Sequence, residues 1–371
     1  MAWEKTKLDD VLKYEQPTKY IVKCDRYNDK FKTPVLTAGK TFLLGYTDEK
    51  EGIFNNLPVI IFDDFTTAFK YVDFPFKVKS SAMKILKNDE KVSDIRFLFY
   101  LMHVIKINND QHKRYWISKY SQLKIPLPSL EIQKKIASIL EQADKIRQLN
   151  KQLIDKYDAL TQSLFLEMFG KYIKDKNCYS SINNLSSFID YRGKTLVKVS
   201  EGIPYITAKS VRVGYFDKTR LDFITKENYS IIMTRGYPKI GDVLFTTEGA
   251  TMGFTCRIPL GFTEFAVGQR LITLQTNENY NSCVLEFMLN SLEIQKEIFK
   301  LATGSAVKGI RSAKFKTIKI PVPPIKLQNQ FSERVKIIEN QKKQAEVSLQ
   351  KSEDLFNSLL QKAFKGALVK E

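Results

Sequence analysis

The chain writes one line twice. "IPLPSLEIQ" runs from Ile125 to Gln133 and "IPVPPIKLQ" from Ile320 to Gln328, an offset of 195 residues. Around these lines the register holds without a gap: Lys113, Lys119, Lys124 and Gln133 match Lys308, Lys314, Lys319 and Gln328, while Tyr120 and Ile132 align with Phe315 and Leu327. The match resumes where Leu160, Ser163, Leu164 and Phe169 align with Leu355, Ser358, Leu359 and Phe364. The openings also echo, "LDDVLKY" at 8–14 and "LSSFIDY" at 185–191. Internal self-similarity on this scale means two copies of one structural unit. Proline cannot donate to a ladder and pushes the residue before it toward extended geometry. Each I-P-x-P therefore leaves a globular part as a stiff strap, and helix begins only after the second proline.

Each strap leads into a heptad pattern. In the first, Ile132, Ile136, Ile139, Ala143, Ile146, Asn150, Leu153, Tyr157, Leu160 and Leu164 recur in alternating steps of four and three, with Asn150 the polar position. In the second, Phe331, Val335, Ile338, Lys342, Ala345, Leu349, Ser352, Phe356, Leu359 and Ala363 keep the same steps, broken by Lys342 and Ser352. Each pattern implies a helix of roughly 38 residues, about 57 Å long, which needs a partner along its length. The other copy is the nearest partner. The expected helix-pairing core is Ile136, Ile139, Ile146, Leu153 and Leu160 against Phe331, Val335, Ile338, Leu349 and Phe356. The linker "GKYIKDKNC" reaches only about 30 Å when extended, so the second globular part is expected near the far end of the first helix and the helices antiparallel. The expected fold is mixed α+β: two pseudo-two-fold-related α/β domains, at 1–124 and 171–319, separated by an antiparallel coiled coil of helices at 125–170 and 320–371. Within the domains, "LPVIIF" (57–62), "KYVDFPFKV" (70–78), "DVLFTT" (242–247) and "RLITLQT" (270–276) read as strands. "DIRFLFYLMHVIKI" (94–107) and "NSCVLEFMLNSLEIQKEIFKLA" (281–302) read as helical.

With 43% hydrophobic and 27% charged residues, the composition is that of a globular protein. No apolar run approaches the roughly 20 residues of a membrane helix, and the opening "MAWEKTKLDD" lacks an apolar signal core, so a cytoplasmic location is expected. The net charge is +18, and the globular stretches 1–124 and 172–319 hold 14 of those excess positives. A polyanion such as DNA or RNA is the natural partner of such a surface.

Catalytic constellations are missing from the sequence. Cys24, Cys178, Cys256 and Cys283 are isolated, so no zinc or redox pair is spelled out. His103 lies in an apolar helical run and His112 in the basic stretch "NNDQHKRYW", and neither suggests a triad. "GKT" at 39–41 and 193–195 would need glycine at 34 and 188 for a phosphate loop; those positions hold Pro34 and Phe188. No G-x-G-x-x-G and no D-P-P-Y-like methyltransferase motif occurs. Asp63 and Asp64 in "FDDF" are paired acids without the further residues of a metal-dependent nuclease and read as turn or capping residues.

Loops suited to nucleic acid are present, each also compatible with an ordinary solvated loop. "TTEGATMG" (246–253) joins hydroxyls to glycines that let backbone approach phosphate. "TGSAVKGIRSAKFK" (303–316) and "QHKRYWISKYSQLK" (111–124) are basic segments at equivalent places before the two straps. "FKVKSSAMK" (76–84) and "PVLTAGKT" (34–41) are further candidates. The residues expected to touch DNA are Lys40, Lys79, Lys113 and Arg114 in the first domain and Thr247, Lys308, Arg311 and Lys314 in the second.

The doubled "I-P-[LV]-P-x-[LI]-x-[LI]-Q", each followed by a long helix closing on "S-L", resembles the specificity subunit of type I restriction–modification systems. "TPVLTAGKTFLLGYT" (33–47) and "PVIIFDDFTTAFKYVDFPFKVKSSAMKIL" (58–86) are similar to one type of first target-recognition domain; "EGIPYITAKSV" (201–211), "GDVLFTTEGATMG" (241–253) and "TGSAVKGI" (303–310) are similar to another in second position. The resemblance spans essentially the whole chain. It implies a non-catalytic subunit of a restriction enzyme and adenine methyltransferase complex, serving host defence. Each domain would read one half of a bipartite, asymmetric double-stranded DNA site. The paired helices would set the spacing and dock two methyltransferase subunits, with motor–nuclease subunits completing the enzyme. S-adenosylmethionine, ATP and magnesium would then belong to the partners, with no cofactor or metal on this chain. Two alternatives stay open: the recognition subunit of a motor-less two-subunit enzyme, and a scaffold binding RNA or acidic partners.

Overall fold

The computed structural model describes residues 3–37, 41–105, 115–191, 196–305 and 307–369. The chain divides into two compact units, one of Met1–Leu153 with Ala345–Glu371 and one of Ile154–Gln344. The long helices run Leu130–Lys174 and Ile325–Phe364, so each unit takes one part of each helix. The first helix continues through Gly170 to Lys174, into residues read from sequence as linker.

Each unit contains the same two sheets in the same order. In unit one an antiparallel sheet runs Leu12–Glu15, Met83–Asn88, Val59–Asp63, Phe69–Val72. In unit two its equivalent runs Ser186–Asp190, Leu271–Thr276, Val243–Thr246, Thr255–Arg257. Strands Val59–Asp63 and Val243–Thr246 are buried at every position, which is why they read as continuous apolar runs rather than alternating ones. Each unit adds a three-stranded sheet: Leu43–Thr47, Thr33–Leu36 and Lys77–Val78 in the first, Asp222–Ile224, Ile203–Ile206 and Ala266–Val267 in the second. "KYVDFPFKV" therefore splits about Pro75 into strands of two different sheets. The second helical stretch also splits, at Ser291, into Ser282–Asn290 and Leu292–Leu301.

The repeated line has a structural purpose in both copies. Strap strand Lys124–Pro126 pairs with Lys5–Lys7, Thr6 opposite Ile125; strap strand Lys319–Pro321 pairs with Tyr179–Ser181, Ser180 opposite Ile320. Two-stranded edges of this kind tolerate proline. Gln133 and Gln328 are both fully buried. Gln133 Oε1 accepts from Asp94 N at 2.9 Å, and its Nε2 donates to Pro128 O at 2.8 Å and Val92 O at 3.1 Å. Gln328 Oε1 accepts from Asn281 N at 2.8 Å, and its Nε2 donates to Pro323 O at 2.7 Å and Asn279 O at 3.3 Å. Asp94 and Asn281 are the N-caps of helices Ile95–Val104 and Ser282–Asn290. One amide thus ties the strap, the start of a long helix and the cap of the domain helix together. It satisfies a strap carbonyl that would otherwise be buried without a partner, Pro128 O in one copy and Pro323 O in the other.

Within each unit the two helix parts run antiparallel. In unit one, Asn150 Nδ2 donates to Ser352 Oγ at 3.2 Å, and the Arg147 guanidinium lies 4.4 Å over the Phe356 ring. The polar positions Asn150 and Ser352 meet each other, a pairing that specifies register. In unit two, Phe331 packs on Phe165 and Phe169 with centroids 5.9 and 5.1 Å apart, and Lys342 Nζ meets Asp158 Oδ1 at 2.5 Å. On the second helix, Phe331, Val335 and Phe356 are buried, and Ile338 and Leu349 half-buried. The first helix differs from expectation. Ile136 is buried and Ile139 half-buried, but Ile146, Leu153 and Leu160 are 51%, 39% and 51% exposed. The seam passes instead through Leu140, Arg147, Ile154 and Thr161, one residue on. The reason is that this helix faces two neighbours at once: Leu140 and Ile136 share a core with Phe97, Leu98 and Leu101 of the domain helix and with Phe356 and Leu360 of the other long helix. One residue is about 100° of helix rotation, and that second neighbour takes it.

Candidate nucleic-acid interface

In unit two, three loops meet above the four-stranded sheet: those after strand Val243–Thr246, before strand Leu271–Thr276 and before helix Ser312–Lys316. Backbone bonds knit them. Thr247 N and Oγ1 both donate to Arg270 O, at 3.0 and 3.1 Å, and Thr247 O accepts from Ile310 N at 2.9 Å. Gly249 N donates to Lys308 O at 3.0 Å, and Thr303 and Gly309 exchange bonds of 2.8 and 2.9 Å. Between the loops lies a cleft of about 550 Å³ lined by Asp190, Thr247, Glu248, Gln269, Arg270 and Arg311 among others.

The structure brings Thr247 and Arg311 together on this cleft. Thr247 spends its hydroxyl proton on the loop frame, while Lys308 and Lys314 are exposed on the flanking segment. The glycines of "TTEGATMG" serve the turn first: Gly249 and Gly253 have φ of +89° and +88°, and a Cβ on Gly253 would lie 2.7 Å from Gln295 Oε1. Sequence reasoning passed over Gln269, Arg270 and Asp190. For Gln269 and Arg270 the signal was "GQR" at 268–270, a glycine before two long polar side chains at a strand start; Asp190 had none.

Unit one repeats the frame. Asp64 N donates to Ala82 O and Tyr115 N to Asp64 O, both at 3.2 Å, as Thr247 N does to Arg270 O and Ile310 N to Thr247 O. Asp64, Ala82 and Tyr115 thus stand where Thr247, Arg270 and Ile310 stand, and Phe65, 53% exposed, stands where Glu248 does. Asp64 Oδ1 also accepts from Trp116 N at 2.8 Å, and Asp63 Oδ1 accepts from Phe65 N at 2.9 Å, so this acid pair shapes its own loop. The lysines of "FKVKSSAMK" divide. Lys77 is buried, pairs with Glu49 at 3.0 Å and donates to Glu51 O at 2.6 Å. Lys84 is buried, 3.6 Å from Asp64 and 3.0 Å from Gln16 Oε1. Lys79 sits at the surface 2.5 Å from Asp25, whose hydrogen bond raises the ammonium's pKa. Lys40, Lys113 and Arg114 lie outside the described residues, as does His112. The His103 ring lies edge-on to Phe69 and Phe99, its Nδ1 3.0 Å from Phe99 O.

Each unit also has a cleft of about 430 Å³ between its domain helix and the long helices. Tyr100, Asp144 and Arg147 line the first, and Phe287, Glu339 and Lys342 the second. These are equivalent positions: Tyr100 and Phe287 each lie six residues beyond their N-cap, and the other pairs keep the 195 offset. On the first helix, Ile146, Leu149 and Leu153 leave an apolar ridge in solvent, 51%, 53% and 39% exposed. Burial pushes the Cys256 and Cys283 thiols up to about 12. Among the described residues no group of three or more His, Cys, Asp or Glu is arranged to hold a metal ion, and no helix is long and apolar enough to cross a membrane.

Comparison with known proteins agrees along the whole chain. A family model described as "Type I restriction modification DNA specificity domain" matches residues 2–157 and again 185–349. The specificity subunit of the type I restriction enzyme EcoR124I/EcoR124II of Escherichia coli is 34% identical over 353 residues, 88% of this chain and 84% of that one. The MjaVIII specificity subunit of Methanocaldococcus jannaschii is 25% identical over 368 residues, 91% and 86% of the two chains. Among solved structures, the S subunit of a type I restriction–modification system from M. genitalium has the same fold, with a TM-score of 0.63 at 17% identity over 98% and 96% of the chains. Two specificity domains in tandem, each on its own copy of one frame and each closed by a long helix, place this chain in the family of type I restriction–modification DNA specificity subunits.

Proposed function

We propose that the chain is the non-catalytic reader of a split DNA target, and that its two domains, 1–124 and 171–319, each take one unequal half of that target. The observation that carries this reading is the loop frame used twice with different chemistry at its mouth. Glu248, Gln269 and Arg270 occupy the positions held in unit one by Phe65, Ser81 and Ala82. Equal frames suit equal docking on a duplex, as half-sites do for a dimeric reader. Unequal side chains select unequal bases. Lys79, Lys308, Arg311 and Lys314 supply phosphate affinity, which carries little sequence choice of its own.

Methyltransferase subunits dock in two copies. Support comes from the two equivalent clefts, each pairing an aromatic side chain with an acid and a base, and from the exposed ridge of Ile146, Leu149 and Leu153. An apolar stripe left in solvent along a helix is what a partner helix covers. The paired long helices hold the readers a set distance apart. Motor–nuclease subunits complete the assembly, and S-adenosylmethionine, ATP and magnesium reside on the partners. The test is co-expression with the cognate methyltransferase, followed by single-molecule sequencing for methylated bases. A two-part motif with unequal halves is expected, and no methylation or cleavage from the purified chain alone. Methylation by the isolated chain, or a one-part motif, refutes the reading.

A further inference from the structure

We infer that Arg270, oriented by Glu248 and flanked by Gln269, is the base-reading element of unit two, and that the base it selects is guanine. This rests on the DNA-reading role proposed above. Gln269 and Arg270 are the central residues of a tight turn closed by Leu271 N donating to Gly268 O at 3.1 Å. That turn is anchored from both sides: Gly268 N donates to Ile206 O at 2.7 Å, and Arg270 O accepts both Thr247 bonds. Backbone held this firmly presents two long polar side chains from a rigid base, and both line the cleft. Glu248 Oε1 lies 2.8 Å from Arg270 Nε, with the two side chains 47% and 61% exposed. An ion pair so exposed adds little stability; it supplies orientation. The carboxylate's contact is at Nε, and among the described residues the two terminal amino groups of the guanidinium donate no hydrogen bond. Those groups form the fork that matches guanine O6 and N7 in the major groove. Unit one has Ser81 and Ala82 at the equivalent turn, so this device belongs to one half of the target alone.

The experiment uses the full-length chain with its methyltransferase. The parent complex is mapped first: a motif without two halves removes the DNA-reading role itself and says nothing special of Arg270. Given a two-part parent motif, Arg270→Ala is expected to keep one half and the gap while the other half loses its requirement at a guanine. In competition between duplexes carrying or lacking that guanine, discrimination falls on the order of ten- to a hundred-fold. Glu248→Gln is expected to loosen the same position more weakly. Should Arg270→Ala abolish methylation, binding of the variant complex to randomised duplexes decides. Loss of preference at one position of one half supports the inference. A uniform loss with unchanged preference is a phosphate contact and overturns it, as does an unchanged motif.

Discussion

Replacing Gln133 with leucine tests whether the repeated line is a latch. The side chain is fully buried and makes three hydrogen bonds, to Asp94 N, Pro128 O and Val92 O. All three partners are backbone groups, so an apolar replacement leaves Pro128 O unpaired in the interior and takes a bond from the partly buried Asp94 N and Val92 O. At roughly 1 kcal/mol for each bond, Gln133→Leu should cost unit one about 3 kcal/mol. Both tryptophans, Trp3 and Trp116, belong to unit one, and Trp116 is fully buried, so tryptophan fluorescence follows this unit selectively. With a urea slope of about 2 kcal/mol per molar, the fluorescence midpoint should fall by about 1.5 M. Gln152→Leu, on the exposed side of the same helix, should shift stability by no more than about 0.5 kcal/mol. If Gln133→Leu moves the midpoint no further than Gln152→Leu does, the amide does not hold the strap and the repeat has another cause.

The joint change of Ile146→Asp and Leu153→Asp should leave urea stability within about 1 kcal/mol, since both side chains are already exposed, yet abolish co-purification of the methyltransferase; undiminished co-purification counts against the ridge as a docking surface. Inserting four residues into the first long helix should lengthen it by about 6 Å, close to two base-pair steps of about 3.4 Å. The methylated motif should then keep both halves and widen its gap, and an unchanged gap means the helices do not set spacing. The Glu15 carboxyl is held below its ordinary value of 4.5 by the hydrogen bond from Lys87. A depressed folded pKa gives stability that is full above the unfolded value and is lost as pH falls through the folded one. The urea-midpoint gap between parent and Glu15→Gln should therefore be widest near neutral pH and close in acid; a gap equally wide at pH 3 contradicts this assignment.

Much of the architecture could be read before any coordinates. Paired prolines, an identical glutamine and two heptads at one offset leave few folds open, because extended strap and long amphipathic helix are local consequences of proline geometry and of the 3.6 period. The opposition of Asn150 and Ser352 is a matter of register, which the offset and the heptads leave open and the packed helices fix. Tertiary structure alone decided which stripe of the first helix faces inward. Starting from Ile136, Ala143 and Asn150, a step of three leads to Ile139 and Ile146 and a step of four to Leu140 and Arg147. Hydropathy favours the first path, and contact with the domain helix selects the second. The cleft of unit two was hidden for a similar reason. Thr247, Arg270 and Ile310 are far apart in sequence and meet chiefly through backbone hydrogen bonds, which every residue can make and no side-chain pattern records. Periodicity is a property of neighbours along the chain, whereas a cleft is a property of neighbours in space.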